Sequence, residues 1–257
     1  MASGRSHPNF VSLHGSNLTC ISFTKPALGT GNVGEMALDL LITSSSAIRI
    51  ATMENEHLLP AIGNDPFTME KPGTLVSSME LYQVVASPSS DRPILLLTQR
   101  SPPITGHQAP FATAVVQWAK SVGVGQILVL TGLDASMRRD AQLIGPCSTR
   151  FLRGGDLGKD LSGSLGSLHL EPLEQEYREE EEASHGLLPP WVTLRAFEAE
   201  QVPYLLLGAF ALEGDNVSVA MEVAKLAMTL GGLKNEVKMP CSFSSVYGRS
   251  VGLQFLA

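Results

Sequence analysis

Apolar positions recur along the chain at two spacings, and the alternation between them lays out the elements. Val33, Met36, Ala37, Leu40 and Leu41 follow a helical period, with Glu35 and Asp39 on the other side and Asn32 placed to cap the first turn. Phe111, Val115, Trp118 and Val122 form a second such face, and Gly123 stands where a left-handed residue stops a helix. A third helix opens at Pro190, carries Trp191, Leu194 and Phe197, and ends before Pro203. A fourth has the stripe Val219, Val223, Leu226, Ala227 and Leu230 and stops at Gly231-Gly232. Between these helices, residues 18–23, 48–53, 79–85, 94–97, 127–130 and 204–212 read as strands. Gly63-Asn64-Asp65-Pro66 reads as a turn, because Gly and Asn tolerate positive φ.

The repeated succession of apolar strand, polar turn and helix, with "TGLD" and "EGDN" as the turns, predicts parallel pairing with helices on both faces of a sheet. Residues 75–100 look instead like an antiparallel pair. The expected fold is therefore α/β, a three-layer α/β/α sandwich with a mixed sheet, and residues 1–257 form one domain. Residues 154–186 change character, ending in the charge run "EQEYREEEE", which buries too little apolar area to offset chain ordering. They are expected to be a mobile acidic insertion with a solvated surface, or a short exposed helix over 172–182.

Charge and composition narrow the function classes. A net charge of -7 argues against binding a phosphate backbone, so nucleic acid is not an expected partner. The chain has no run of about 18 apolar residues and no apolar leader segment, so membrane insertion and secretion are not expected. Cys20, Cys147 and Cys241 lie far apart and contain no C-x-x-C pair, which signals neither a disulfide framework nor zinc and fits a reducing cytosol.

Several groupings could carry chemistry. Gly29, Gly31 and Gly34 have the G-x-G-x-x-G spacing of a dinucleotide cradle, and Glu54 follows where a ribose-binding acid would stand. Lys25 to Leu28 separate the first strand from those glycines, however, whereas a cradle needs the strand to run almost directly into them. Glycines that allow a sharp turn and close helix packing explain the same letters. Glu213 and Asp215 could hold Mg²⁺ or act as acid and base, but Asp215 and Asn216 are also suited to capping the next helix. Arg100, Arg138 and Arg139 with Ser101 could meet a phosphate. His57 and His107 read as surface or loop histidines, and Trp118 and Trp191 as core. No catalytic, cofactor-binding or metal-binding residue is assigned; Gly31, Asn32, Gly34, Gly63, Asn64, Glu213, Gly214, Asp215 and Asn216 are assigned to structural turns.

Four stretches taken in order carry a resemblance: "PALGTGNVGEMALDLLITS" at 26–44, "LLPAIGNDPF" at 58–67, "LLTQRSP" at 96–102 with the Trp-bearing helix and "ILVL" behind it, and "EGDN" at 213–216 before an apolar helix. The succession resembles the proteasome assembly chaperone family, and within it the second subunit of a heterodimeric pair, over about residues 18–150 and 190–240. The resemblance implies a protein that is not an enzyme and uses no cofactor. It implies pairing with a paralogous first subunit and support for assembly of the proteasome core-particle α-ring, with off-pathway ring pairing discouraged. It also implies a nucleoside-phosphorylase-like fold and a place in the cytoplasm and nucleus. In the wider family a hydrophobic-Tyr-any tail docks between α subunits; here Phe255, Leu256 and Ala257 are the corresponding partner-binding residues. Leu256 replaces the Tyr, which removes a hydrogen bond worth about 0.5–1.5 kcal/mol net. The competing readings are a nucleoside phosphorylase-like or nucleotide-binding enzyme, and an interaction module of the same fold serving another complex.

Overall fold

The computed structural model describes residues 18–22, 30–68, 74–84, 94–138, 142, 148–157, 163, 165–187 and 189–243. Among them are strands β1 Leu18–Ser22, β2 Ile48–Thr52, β3 Ile62–Asn64, β4 Leu75–Ser77, β5 Met79–Gln83, β6 Ile94–Gln99, β7 Ile127–Asp134, β8 Thr149–Gly154, β9 Glu171–Pro172 and β10 Tyr204–Ala211. The helices are α1 Val33–Ser44, α2 Gln108–Ser121, α3 Gln175–His185, α4 Trp191–Ala199 and α5 Val217–Leu230. One sheet has the order β2-β5-β6-β1-β7-β10-β8-β9, and β3 and β4 form a separate antiparallel hairpin. Strands β6, β1, β7 and β10 are mutually parallel, while β5 opposes both β2 and β6, and β8 opposes β10.

The continuous apolar runs at 127–130 and 204–207 arise because β7 and β10 are covered on both faces. Leu128, Leu130, Leu205 and Leu207 join the core beneath α1 and α5. Ile127, Val129, Tyr204 and Leu206 join the core beneath α2 and α4. Fully burying each of these side chains contributes about 1.5–3 kcal/mol, so both faces must stay covered. The expected three-layer α/β/α sandwich with a mixed sheet is the fold found.

Four local expectations are corrected. Gly63 and Asn64 are not in the turn: they pair with Val76 and Leu75 in the hairpin. The turn starts one residue later, where Asp65 Oδ1 accepts a hydrogen bond from the Phe67 amide at 2.8 Å. The "TGLD" stretch is also strand, since β7 runs alongside β10 as far as Asp134↔Ala211. The buried stripe of α5 keeps Val223, Ala227 and Leu230 but adds Ala220, Ala224 and Met228, with Val219 and Leu226 only half-buried, because the alanines bring α5 close against α1.

The acidic segment is not solvated along its whole length. Its helix α3 lays Tyr177 on the core, with the ring edge-on to Phe210 at 5.2 Å and the hydroxyl donating to the Asp134 carbonyl at 3.3 Å. Leu173, just ahead of α3, and Tyr177 within it both join the core, and the surrounding charges hide them in the sequence. Strand β8 has a similar disguise. Arg150 is buried within it, facing Glu171 at 3.3 Å and Glu174 at 3.5 Å, with its guanidinium 5.8 Å from the centre of the Phe210 ring.

Docking of α3 should therefore depend on one aromatic side chain. Tyr177→Ala is expected to lower unfolding free energy by about 3–5 kcal/mol in urea titrations, and Tyr177→Phe by about 0.5–1.5 kcal/mol. A near-neutral Tyr177→Ala would mean that α3 does not rest on the core.

Candidate functional site

The turns singled out in the sequence converge at the carboxyl ends of the parallel strands, where open α/β sheets often keep ligands. Gly34 opens α1, and a β-carbon there would collide with the Leu130 carbonyl and the Thr131 backbone of β7. Gly132 stands against Thr30 in the same manner. Gly31, at φ 66°, sits under the side chain of Asn216 and the carbonyl of Leu212. The next residue, Asn32, is left-handed as well, at φ 53°. The space above each of these glycines is filled by the chain's own backbone and by Asn216. A pyrophosphate would need that same space. Gly29 lies outside the described residues.

Asn216 is the stitch that closes this corner. Its Nδ2 donates to the Leu212 carbonyl at 2.7 Å, to Gly214 at 3.3 Å and to Gly31 at 3.4 Å. It occupies the N-cap position of α5, yet its side chain does not cap the helix; Asp215 Oδ1 accepts from the Val217 amide at 3.0 Å instead. Asn32 likewise stands at the N-cap of α1 without a side-chain cap bond, and its carbonyl accepts the first helical bond from Met36 at 3.0 Å. Glu213 and Asp215 are both exposed, and among the described residues no group of three or more His, Cys, Asp or Glu side chains is placed to hold a metal ion. Glu54 follows β2, which β5 and β6 separate from β1, so it is not brought to the glycine corner.

The arginines are engaged by the protein, and they do not share a site. Arg100 Nη1 and Nη2 hold Asp39 at 2.8 and 2.6 Å, and Nη1 also reaches Glu35 at 2.8 Å. Asp39, read from the sequence as lying on the polar side of α1, is buried because Arg100 meets it there. Burial pushes the Asp39 carboxyl up to about 6 from its ordinary 3.8, against the opposing pull of Arg100. Arg138 lies on the other face of the sheet, 4.8 Å over Phe210, and donates to the Gln142 carbonyl at 2.6 Å. Ser101 donates to the Leu59 carbonyl at 2.5 Å. Arg139 is outside the described residues, as are Phe255, Leu256 and Ala257.

Two features of this end of the molecule had no signal in the sequence. His57 and His107 meet through their Nδ1 atoms at 3.0 Å, brought together by the Leu58↔Pro103 bridge and a hydrogen bond from the Ile104 amide to the His57 carbonyl. Large apolar side chains also stand in solvent around the rim: Leu59 at 43% exposure, Ile62 at 76%, Leu75 at 54% and Leu212 at 59%. All four lie at the carboxyl end, since Met79 pairs with Gln99 at the end of β6, Leu59 bonds to Pro102 just beyond it, and Leu212 follows β10. Exposed apolar side chains beside closed corners suit contact with another protein better than enclosure of a small molecule.

The sequence pattern of the PAC2 family matches residues 23–223. The chain is 33% identical over 211 residues to the Nematostella vectensis protein called Proteasome assembly chaperone 2, covering 77% of this chain and 84% of that one. It is 28% identical over 214 residues to the Homo sapiens protein of the same name, covering 80% and 79%. Among solved structures, Pyrococcus furiosus PbaB, described as an archaeal proteasome activator, superposes with a TM-score of 0.62 at 15% identity, covering 86% of each chain. Pyrococcus furiosus PbaA, described as an archaeal homolog of proteasome-assembly chaperone, gives 0.55 at 16% identity, covering 89% of this chain and 86% of that one. At those identities the two structures speak to the fold alone.

Gly34→Ala is expected to destabilise the fold by about 1–3 kcal/mol, although alanine is the better helix former, because the colliding atoms are backbone and cannot swing aside. Chemical denaturation of the two proteins measures it. A pH series tests the Asp39 pair. The folded carboxyl holds its proton more tightly than the unfolded one, so its contribution to stability is present below about pH 4 and is lost as pH rises through about 6. Relative to Asp39→Asn, the parent chain should lose stability across that window; parallel curves would show that Asp39 does not titrate there.

Proposed function

The chain belongs to the PAC2 family, and from that premise we propose that it is a proteasome assembly chaperone. In this reading it forms a heterodimer with a paralogous first subunit and promotes assembly of the core-particle α-ring while discouraging off-pathway ring pairing. It acts in the cytoplasm and nucleus, without making or breaking a covalent bond. The observation that carries the reading is the run of relatives called Proteasome assembly chaperone 2, matched over about three-quarters or more of both chains.

The physical mechanism is differential binding. A chaperone of this kind favours a correct arrangement only if it binds intermediates on that route more tightly than their off-pathway alternatives. The exposed apolar side chains at the carboxyl end fit this role, because they gain affinity from burial and release a partner when better-matched neighbours take over its surface.

Affinity capture of the tagged chain from cells, followed by native mass spectrometry, tests the reading. Complexes containing one paralogous chaperone chain and proteasome α subunits are expected. Recovery of neither would overturn it.

A further inference from the structure

The β3–β4 hairpin is exposed in a way that an isolated two-stranded ribbon tolerates poorly, since such ribbons are marginal in water without further cover. Val76, paired with Gly63, faces inward and is buried. The opposite face presents Ile62 and Leu75 to solvent. β4 is steadied by Arg49, whose Nη1 donates to the Leu75 carbonyl at 3.0 Å. On its outer side β3 has no strand partner among the described residues, so that edge can accept one.

The chain itself returns to this place. After α5 it is strapped across the end of α1, with Asn235 Nδ2 on the Ser44 carbonyl at 2.9 Å and the Lys238 amide on Ser44 Oγ at 2.9 Å. It then reaches Pro66, whose carbonyl accepts from Cys241 Sγ at 3.1 Å and from the Ser242 amide at 3.2 Å. Phe243 is buried in the core, and Pro66 stands two residues beyond the end of β3. Residues 244–257 follow from there, and at about 3.3 Å per residue they could extend over 40 Å, several times the length of β3. Their last stretch, "VGLQFLA", alternates Val251, Leu253, Phe255 and Ala257 with Gly252, Gln254 and Leu256, a strand pattern with one wholly apolar face and a mixed one opposite. Arg249 is the one charge after Phe243. A chain leaving Pro66 and running back along β3 would carry it past Asp65.

We propose that residues 251–257 dock within the same molecule as a third strand, antiparallel to β3 on its outer edge, extending the apolar face begun by Ile62 and Leu75. Such docking satisfies an open strand edge and shelters two apolar segments of one chain with each other. Ordering a short tethered segment costs less than recruiting a separate chain, because the tether holds its local concentration high.

Hydrogen exchange read by mass spectrometry tests this on the full chain. Removing residues 244–257 should speed exchange of the amides at 61–65 by about tenfold or more, with β7 and β10 unchanged. If β7 and β10 also speed up, the full-length Leu253→Asp/Phe255→Asp chain decides instead. It should show the faster exchange at 61–65 while its melting temperature holds. Unchanged exchange at 61–65 in that variant would overturn the proposal. Protection at 61–65 that falls on dilution would overturn it too, by assigning the strand to a second copy.

Discussion

Helix α1 can lie where it does only because Gly34 lets its first turn touch the Leu130 carbonyl of β7. That contact sets the height of α1 over the sheet and, with it, the positions of Gly31 beneath Asn216 and of Gly132 against Thr30. It also brings the far side of α1 under the strap from α5, so the helix is buried on nearly all sides. An aspartate on such a helix needs a partner, and Arg100 at the end of β6 supplies it. The closed corner and the buried ion pair thus follow from one close approach of backbone to backbone.

The same geometry separates the two uses to which glycines at strand ends are put. In a phosphate cradle they leave room for an anion above a helix amino terminus. In this chain the room goes to Asn216 and to strand carbonyls. Open to solvent at that end stand Leu59, Ile62, Leu75 and Leu212. Fold and proposed function are then consistent: the corner where open α/β sheets often keep ligands is filled by the chain itself.

The parts legible in the sequence were those whose apolar residues outnumber every other signal. β7 and β10, covered on both faces, read as strands, and α1, α2 and α5 read as helices from their period. Where polar residues are buried, the pattern misleads. Arg150 lies buried in β8 with nothing in the local spacing to announce it, and the acidic run hides the Tyr177 contact that helps seat α3. Gly63-Asn64 has the letters of a turn, but register with Val76 and Leu75 makes it strand. The His57–His107 contact depends on the Leu58↔Pro103 bridge between segments distant in the chain, which local spacing does not encode. The dinucleotide spacing was legible in letters, and only three-dimensional packing shows what fills it.

The central claim is that these glycines shape the backbone and leave no cradle for a small phosphate compound. Titration calorimetry of the purified chain against nucleosides, inorganic phosphate and NAD tests it most directly. The account predicts no saturable heat with any of them. Saturable micromolar binding that disappears in Gly31→Val would contradict it.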